Sequence, residues 1–346
     1  MLAAASVPMR DILPTLEQWI AEGRKFATAT VTQTWGSSPR PIGSVMGVRD
    51  DGLICGSVSG GCVETAVIEA SIQALADSQP RELKFEEVTD DSIWDVGLSC
   101  GGRIQVWIDP DPVGRDPSFW RTVSTRIRRD DPTVIVSDLA GKSTGLWIPG
   151  DLDPFDGKIE AAYRNRQSGE IQTEAKRLFL NVLASREKVV IVGSVHIAVP
   201  LVKFAKELGF ETIVVDPRRA FANQERFPIV PDRILVEWPE LGLAEAGLTA
   251  ETYAVVLTHD PKIDDVALAI LLRSPVKYIG ALGSRVTQTK RQDTLRSLGF
   301  SDEELARIHG PIGLNIGART PEEIALSIMG EIVQVRRDRS RVPSPL

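Results

Sequence analysis

Three observations predict an α/β chain with two domains, a mixed α/β domain followed by a Rossmann-like domain built on a doubly wound parallel sheet. The chain has 346 residues, room for two domains of roughly 100–200 residues each. From Lys188 onward, short apolar runs alternate with helical stretches, the pattern of repeated β/α units. Before that point strand and helix periodicities also occur, without that regular alternation. Apolar residues make up 42% and charged residues 25%, the balance of a globular protein.

Residues 11–22 have the spacing of an amphipathic helix, and FATATVTQT at 26–34 alternates as a strand does. GSVMGVRDDGLICGSV at 43–58 reads as a hairpin turning at Asp50-Asp51-Gly52, where glycine accepts the positive φ of a tight turn. Residues 62–77 are helical and 103–110 form a strand. Residues 111–183 are less regular. They suggest a helix at 116–128, a strand pair at 133–138 and 144–148, and a break at PGDLDPFDGK, forming the far side of the first domain plus a linker, or a small subdomain. The first domain is therefore placed at 1–183 and the second at 184–338, with a frayed tail at 339–346. In the second domain KVVIVG is a buried strand, and HIAVPLVKFAKELG is a helix stopped by Gly209. Further strands follow at ETIVVDP, 253–258 and 276–282. The final helix opens at TPEEIA, with Thr320 as N-cap, Pro321 in the first turn and Glu323 closing a capping box.

The net charge of −7 argues against a nucleic-acid partner, which needs a basic face for phosphates. Three cysteines are too few and too odd for a secreted disulfide framework, and a cytoplasmic protein is expected. The first ten residues lack the basic start of a signal peptide, and the longest apolar stretch is too broken to span a membrane.

Two cysteines lie among glycines. In GSVSGGCVE, Ser59, Gly60 and Gly61 lead into Cys62 at a helix start, where unpaired N–H groups favour a thiolate. The alternative is a small buried side chain at a strand–helix junction. In GLSCGG, Cys100 sits beside Gly101 in a loop with no apolar periodicity, where a ligand can approach the backbone. Cys55, inside a strand, reads as packing. In TWGSSPRPIGS, two prolines stiffen the loop around Arg40, and Ser38 adds a donor, a pattern suited to an oxyanion; the alternative is a rigid surface loop.

VVIVGSVHIA stands where a dinucleotide fingerprint would stand, with Asp216 closing the next strand at the ribose-binding position. Gly193 fits the first glycine. Val195 occupies the second, and its branched side chain would crowd a pyrophosphate, which argues against NAD(P). His196, His259, Ser284 and Arg285 follow strands that should end at one edge of the sheet, and Arg319 precedes a helix N-terminus; together they suggest a ligand crevice.

The segments GSSPRPIGSVMGV, GSVSGGCVE, GLSCGGRIQVWIDP, THDPKID, YIGALGSR and GLNIGARTPEEIA, in this order, resemble the XdhC/CoxI family over about residues 15–335. The resemblance implies an accessory protein rather than a catalyst. It would bind molybdenum cofactor, as molybdopterin or its cytosine dinucleotide form, assist sulfuration by a cysteine desulfurase, and deliver the cofactor to an apo molybdenum hydroxylase such as xanthine dehydrogenase. It implies that Cys62 and Cys100 are the functional thiols, touching molybdenum or relaying sulfur. Arg40, Ser38 and the glycine-rich loops would hold the pterin and its phosphate. A homodimer is expected. The family's Gly-x-Gly-His turn is here Gly193-Ser194-Val195-His196. The rival readings are an NAD(P)-dependent oxidoreductase using the Rossmann crevice, and a scaffold that binds only the hydroxylase and the desulfurase.

Overall fold

The computed structural model describes residues 8–36, 40–61, 63–85, 102–139, 144–174 and 176–337. The chain divides into two compact units, Met1–Ser185 and Arg186–Leu346.

The first unit opens with α1 (Pro8–Ala21), β1 (Phe26–Trp35), β2 (Val45–Arg49), β3 (Ile54–Gly56), α2 (Glu64–Asp77), β4 (Arg81–Phe85) and β5 (Arg103–Pro110). The strands form an antiparallel sheet in the order β3-β2-β1-β5-β4. The β2–β3 hairpin turns where expected, with Gly52 at φ +86°. Alternation along β1 decides what each face meets. Ala27, Ala29 and Val31 pack with Val67, Ala70 and Ala74 of α2, while Thr28, Thr30 and Thr32 line the other face, opposite Trp107 and Asp109 of β5. That threonine face is buried too, so this unit encloses a largely polar layer.

Residues 111–183 build a sheet of their own. The elements are α3 (Pro112–Arg115), α4 (Pro117–Arg129), β6 (Thr133–Asp138), β7 (Thr144–Trp147), α5 (Lys158–Arg164), β8 (Gly169–Gln172) and β9 (Arg177–Leu183). The strand order is β7-β6-β9-β8, all antiparallel. Strands β8 and β9 fall in the stretch read as the far side of the first domain plus a linker, or as a small subdomain. Asp116 caps α4 by accepting from the Ser118 and Phe119 N–H groups, with Pro117 in the first turn. Trp120, Val123 and Ile127 of α4 join α1, Phe26 and Ile135 in one apolar cluster.

The second unit runs β10 (Lys188–Val192), α6 (Ala198–Glu207), β11 (Glu211–Val215), β12 (Arg233–Leu235), α7 (Pro239–Ala246), β13 (Thr252–Val256), α8 (Pro261–Leu272), β14 (Tyr278–Ala281), α9 (Arg285–Ser297), α10 (Asp302–Leu305), β15 (Ile308–His309) and α11 (Pro321–Arg337). All six strands are parallel, in the order β12-β11-β10-β13-β14-β15. This is the doubly wound order with its switch point between β10 and β13. Val190 and Val192 face the α7, α8 and α9 side, and Val189 and Ile191 face α6 and α11, which is why the strands read as unbroken apolar runs. The α11 start carries the expected capping box, Thr320 and Glu323 exchanging bonds. No helix among the described residues is long and apolar enough to cross a membrane.

Candidate functional site

The register of the five-stranded sheet brings three chemically loaded segments to one end. Trp35, the last residue of β1, pairs with Arg103, the first of β5. Phe85, the last of β4, pairs with Ile104. At the other edge β2 starts at Val45, and β3 ends at Gly56 opposite Met46. The connections 36–44, 57–63 and 86–102 therefore all leave the same end of the sheet. They carry Ser38 and Arg40, then Cys62, then Cys100 and Gly101. Ser38, Cys62, Cys100 and Gly101 lie outside the described residues; the strand and helix ends on either side of them are placed. Arg40 is exposed, and its charge, after that of Arg10, opposes the upward push that burial gives the Asp11 carboxyl of α1.

The loop before Cys62 is wrapped around an acid that the sequence reading passed over. Glu64, 9% exposed at the start of α2, takes hydrogen bonds from nearly every donor in the turn. Its Oε1 accepts from the Ser57 hydroxyl (2.8 Å) and from the N–H groups of Ser59 (2.9 Å) and Gly60 (3.0 Å). Its Oε2 accepts from the Ser59 hydroxyl (2.5 Å) and the Gly61 N–H (2.8 Å). Burial alone would raise this carboxyl, but the bonds from Ser59, Ser57 and Gly60 win and hold it at about 2. Gly60 and Gly61 sit at φ +90° and +127°, which a side chain resists. The amides expected to receive a ligand's anion are thus turned onto a carboxylate of the chain itself. The available signal was an acid just inside a helix start that follows a glycine turn, where orphan N–H groups are concentrated. Cys55, on β3, is half-buried, and burial pushes its thiol up to about 11, in keeping with a packing role.

A cavity of about 490 Å³ opens at the same end of this sheet, bounded on its far side by β8 and β9. Trp35 from β1, Lys84 from β4 and Arg103 from β5 stand at its sides, with Glu170 and Arg177 across from them. Trp35 is 42% exposed, and the Arg103 guanidinium lies 5.9 Å from its ring centroid. Gln105, 3% exposed, donates to Glu82 (2.5 Å) and Glu170 (3.0 Å), and Arg177 reaches the same two acids.

In the second unit, the residues after β10, β11, β13 and β14 gather at one edge of the parallel sheet. Gly193 has φ +104°, and a Cβ there would fall 2.5 Å from Thr258 Cγ2, so the first glycine of the turn is required by the close approach of the segment that follows β13. Asp216 does not face outward as a ribose acceptor would. It is fully buried and accepts from the Ser194 N–H (2.8 Å) and from Arg218 Nε (2.8 Å) and Nη2 (2.7 Å). Burial opposes its ionisation, and Arg218 overcomes that and keeps its pKa low. The Arg218 guanidinium in turn lies 4.2 Å from the Phe221 ring centroid. A second buried pair, Asp264 with Arg291 (3.1 Å), lies behind the β13 edge; Asp264 also accepts from the Thr258 hydroxyl and the His259 N–H, fixing His259 at φ +62°. His196 and His259 are both exposed. Ser284 caps α9 through the Thr287 N–H, Arg285 is exposed in the first turn, and the Arg319 N–H is bound to Glu323. No group of three or more His, Cys, Asp or Glu side chains that could hold a metal ion occurs among the described residues.

Both units match known proteins. Residues 19–86 match the model of the XdhC and CoxI family, and residues 189–332 match that of the XdhC Rossmann domain. The chain is 27% identical over 336 residues to a Bacillus subtilis protein described as a probable xanthine dehydrogenase subunit, covering 93% of this chain and 96% of that one. It is 26% identical to the molybdenum cofactor insertion chaperone PaoD of Escherichia coli, over 94% of this chain and 88% of that one. It is also 28% identical to an uncharacterized Escherichia coli protein, YqeB, but spans only 44% of that protein's length. Among solved structures, one of a Bacillus halodurans protein described as a xanthine dehydrogenase superposes with a TM-score of 0.74 at 26% identity, covering 96% of this chain and 98% of that one. One model is matched on the five-stranded sheet, the other on the doubly wound sheet, and full-length relatives span both, so each unit of the chain matches its counterpart in the XdhC and CoxI family.

Proposed function

We propose that this protein carries molybdenum cofactor and helps insert it into a molybdenum hydroxylase of the xanthine dehydrogenase type. The observation that carries this reading is the convergence of the Arg40, Cys62 and Cys100 segments at one end of the five-stranded sheet. A soft thiolate suits molybdenum or sulfur, and an arginine suits the phosphate of the pterin. The names of two relatives, one a cofactor insertion chaperone and the other a probable component of xanthine dehydrogenase, support the same cargo and client. In this reading the cargo is molybdopterin or its cytosine dinucleotide, a cysteine desulfurase supplies the sulfur, and the protein works in the cytoplasm as a homodimer.

The oxidoreductase reading draws on the strand order of the second unit, which matches that of dinucleotide-binding sheets. Against it stand Val195 in the turn and an Asp216 carboxylate already engaged by Ser194 and Arg218.

The test is anaerobic equilibrium binding of the cofactor to the wild type, Cys62→Ala and Cys100→Ala proteins, with bound pterin read by fluorescence after oxidation. We expect tight binding by the wild type and at least tenfold weaker binding by Cys100→Ala. A wild type that retains no pterin would sink the carrier reading, and unchanged binding by both variants would remove the thiols from it.

A further inference from the structure

The cavity of about 490 Å³ at the end of the five-stranded sheet has the size of a small-molecule site, for which roughly 300–1,000 Å³ is usual. Its chemistry is specific. The half-exposed Trp35 ring and the buried Phe85 ring, from β1 and β4, give it aromatic surface. Gln33 and Gln105 supply amides able both to donate and to accept. Among the described residues the charges do not cancel. Arg177 is held between Glu82 and Glu170, whereas Lys84 and Arg103 have no carboxylate within ion-pair distance among the described residues. Both therefore bring charge to a site that otherwise contains one acidic wall. An aromatic platform, amides at its edge and two cations without a described carboxylate partner, one of them already against the Trp35 ring, match a planar nitrogen heterocycle that carries a phosphate.

We propose that this cavity is where the phosphorylated pterin of the cargo seats, its ring system against Trp35 and its phosphate on Arg103 and Lys84. The assignment rests on the carrier reading and adds to it residues that neither the cysteine loops nor the Rossmann crevice supply. Trp35 and Arg103 are exposed strand-end side chains paired across β1 and β5, so replacing them leaves the sheet intact.

The experiment measures equilibrium binding of molybdenum cofactor, released anaerobically from a purified molybdenum enzyme, to the full-length wild type, Trp35→Ala, Arg103→Gln and Arg103→Lys proteins. Thermal melts run beside each titration. Phosphate-free pterin and inorganic phosphate are added as competitors. We expect at least tenfold weaker binding by Trp35→Ala and Arg103→Gln at unchanged melting temperature, and recovery of most of the affinity in Arg103→Lys. Phosphate-free pterin should compete equally well against the wild type and Arg103→Gln but lose potency against Trp35→Ala. Wild-type affinity in both Trp35→Ala and Arg103→Gln would overturn the assignment and leave the carrier reading standing. No binding by the wild type would overturn both.

Discussion

Glu64 shows how a single carboxylate can shape a glycine-rich turn. It is ionised, buried and saturated with donors from Ser57 to Gly61. Its pKa is depressed from an ordinary 4.5 to about 2, so its contribution to stability is complete above about pH 4.5 and is lost as pH falls toward 2. The shift corresponds to roughly 3 kcal/mol. Glu64→Gln should cost about 2–4 kcal/mol at pH 7, because an amide offers one acceptor oxygen where the turn needs two. Urea midpoints of variant and wild type should converge between pH 5 and pH 3; a gap that stays constant across that range would mean the carboxylate's charge is not what holds the turn. The turn itself was legible from its glycines and serine. Its partner was not, because an acid near a helix start has an ordinary explanation in the helix dipole. Asp216 was legible as a position but not in its orientation, since only the fold shows Arg218 folding back onto it.

The β/α alternation after Lys188 could be read directly, because strands covered by helices on both sides must be apolar on both sides. The helix expected from His196 begins at Ala198 instead, two residues after the histidine. Strands β12 and β15, of three and two residues, are too short to carry a period. Strand β8 was hidden for another reason: GEIQ is half-buried and polar at an edge, with no apolar alternation to announce it. The turn between β10 and α6 makes a sharp prediction. Gly193→Ala places a methyl against Thr258 in a backbone conformation that disfavours any side chain. It should destabilise the protein by about 2–4 kcal/mol, read as a lowered denaturation midpoint. A midpoint within experimental error of wild type would show that the segment that follows β13 can give way without penalty.

The largest division in the molecule falls between Ser185 and Arg186. The bonds of Ser185 run back to Asp130 and Arg166. Those described for Glu187 run forward, to Tyr253 and Arg336. Fragments 1–185 and 186–346 should therefore each melt cooperatively when expressed alone; a fragment 186–346 without a thermal transition would contradict that. The sequence reading set its boundary between residues 183 and 184, where the pattern of strands and helices changes. What it did not reveal is how differently the two interiors are made. The threonine face of β1, with Gln105 and Asp109 beside it, puts a polar layer inside the first unit, while both layers of the second are packed with valine, leucine and isoleucine. Exposing apolar surface raises the heat capacity and exposing polar surface lowers it. Per residue, the second fragment should then have the larger heat-capacity change in calorimetry and the more sharply curved stability profile, so that chilling weakens the Rossmann half more steeply than the half bearing the glycine–cysteine turns.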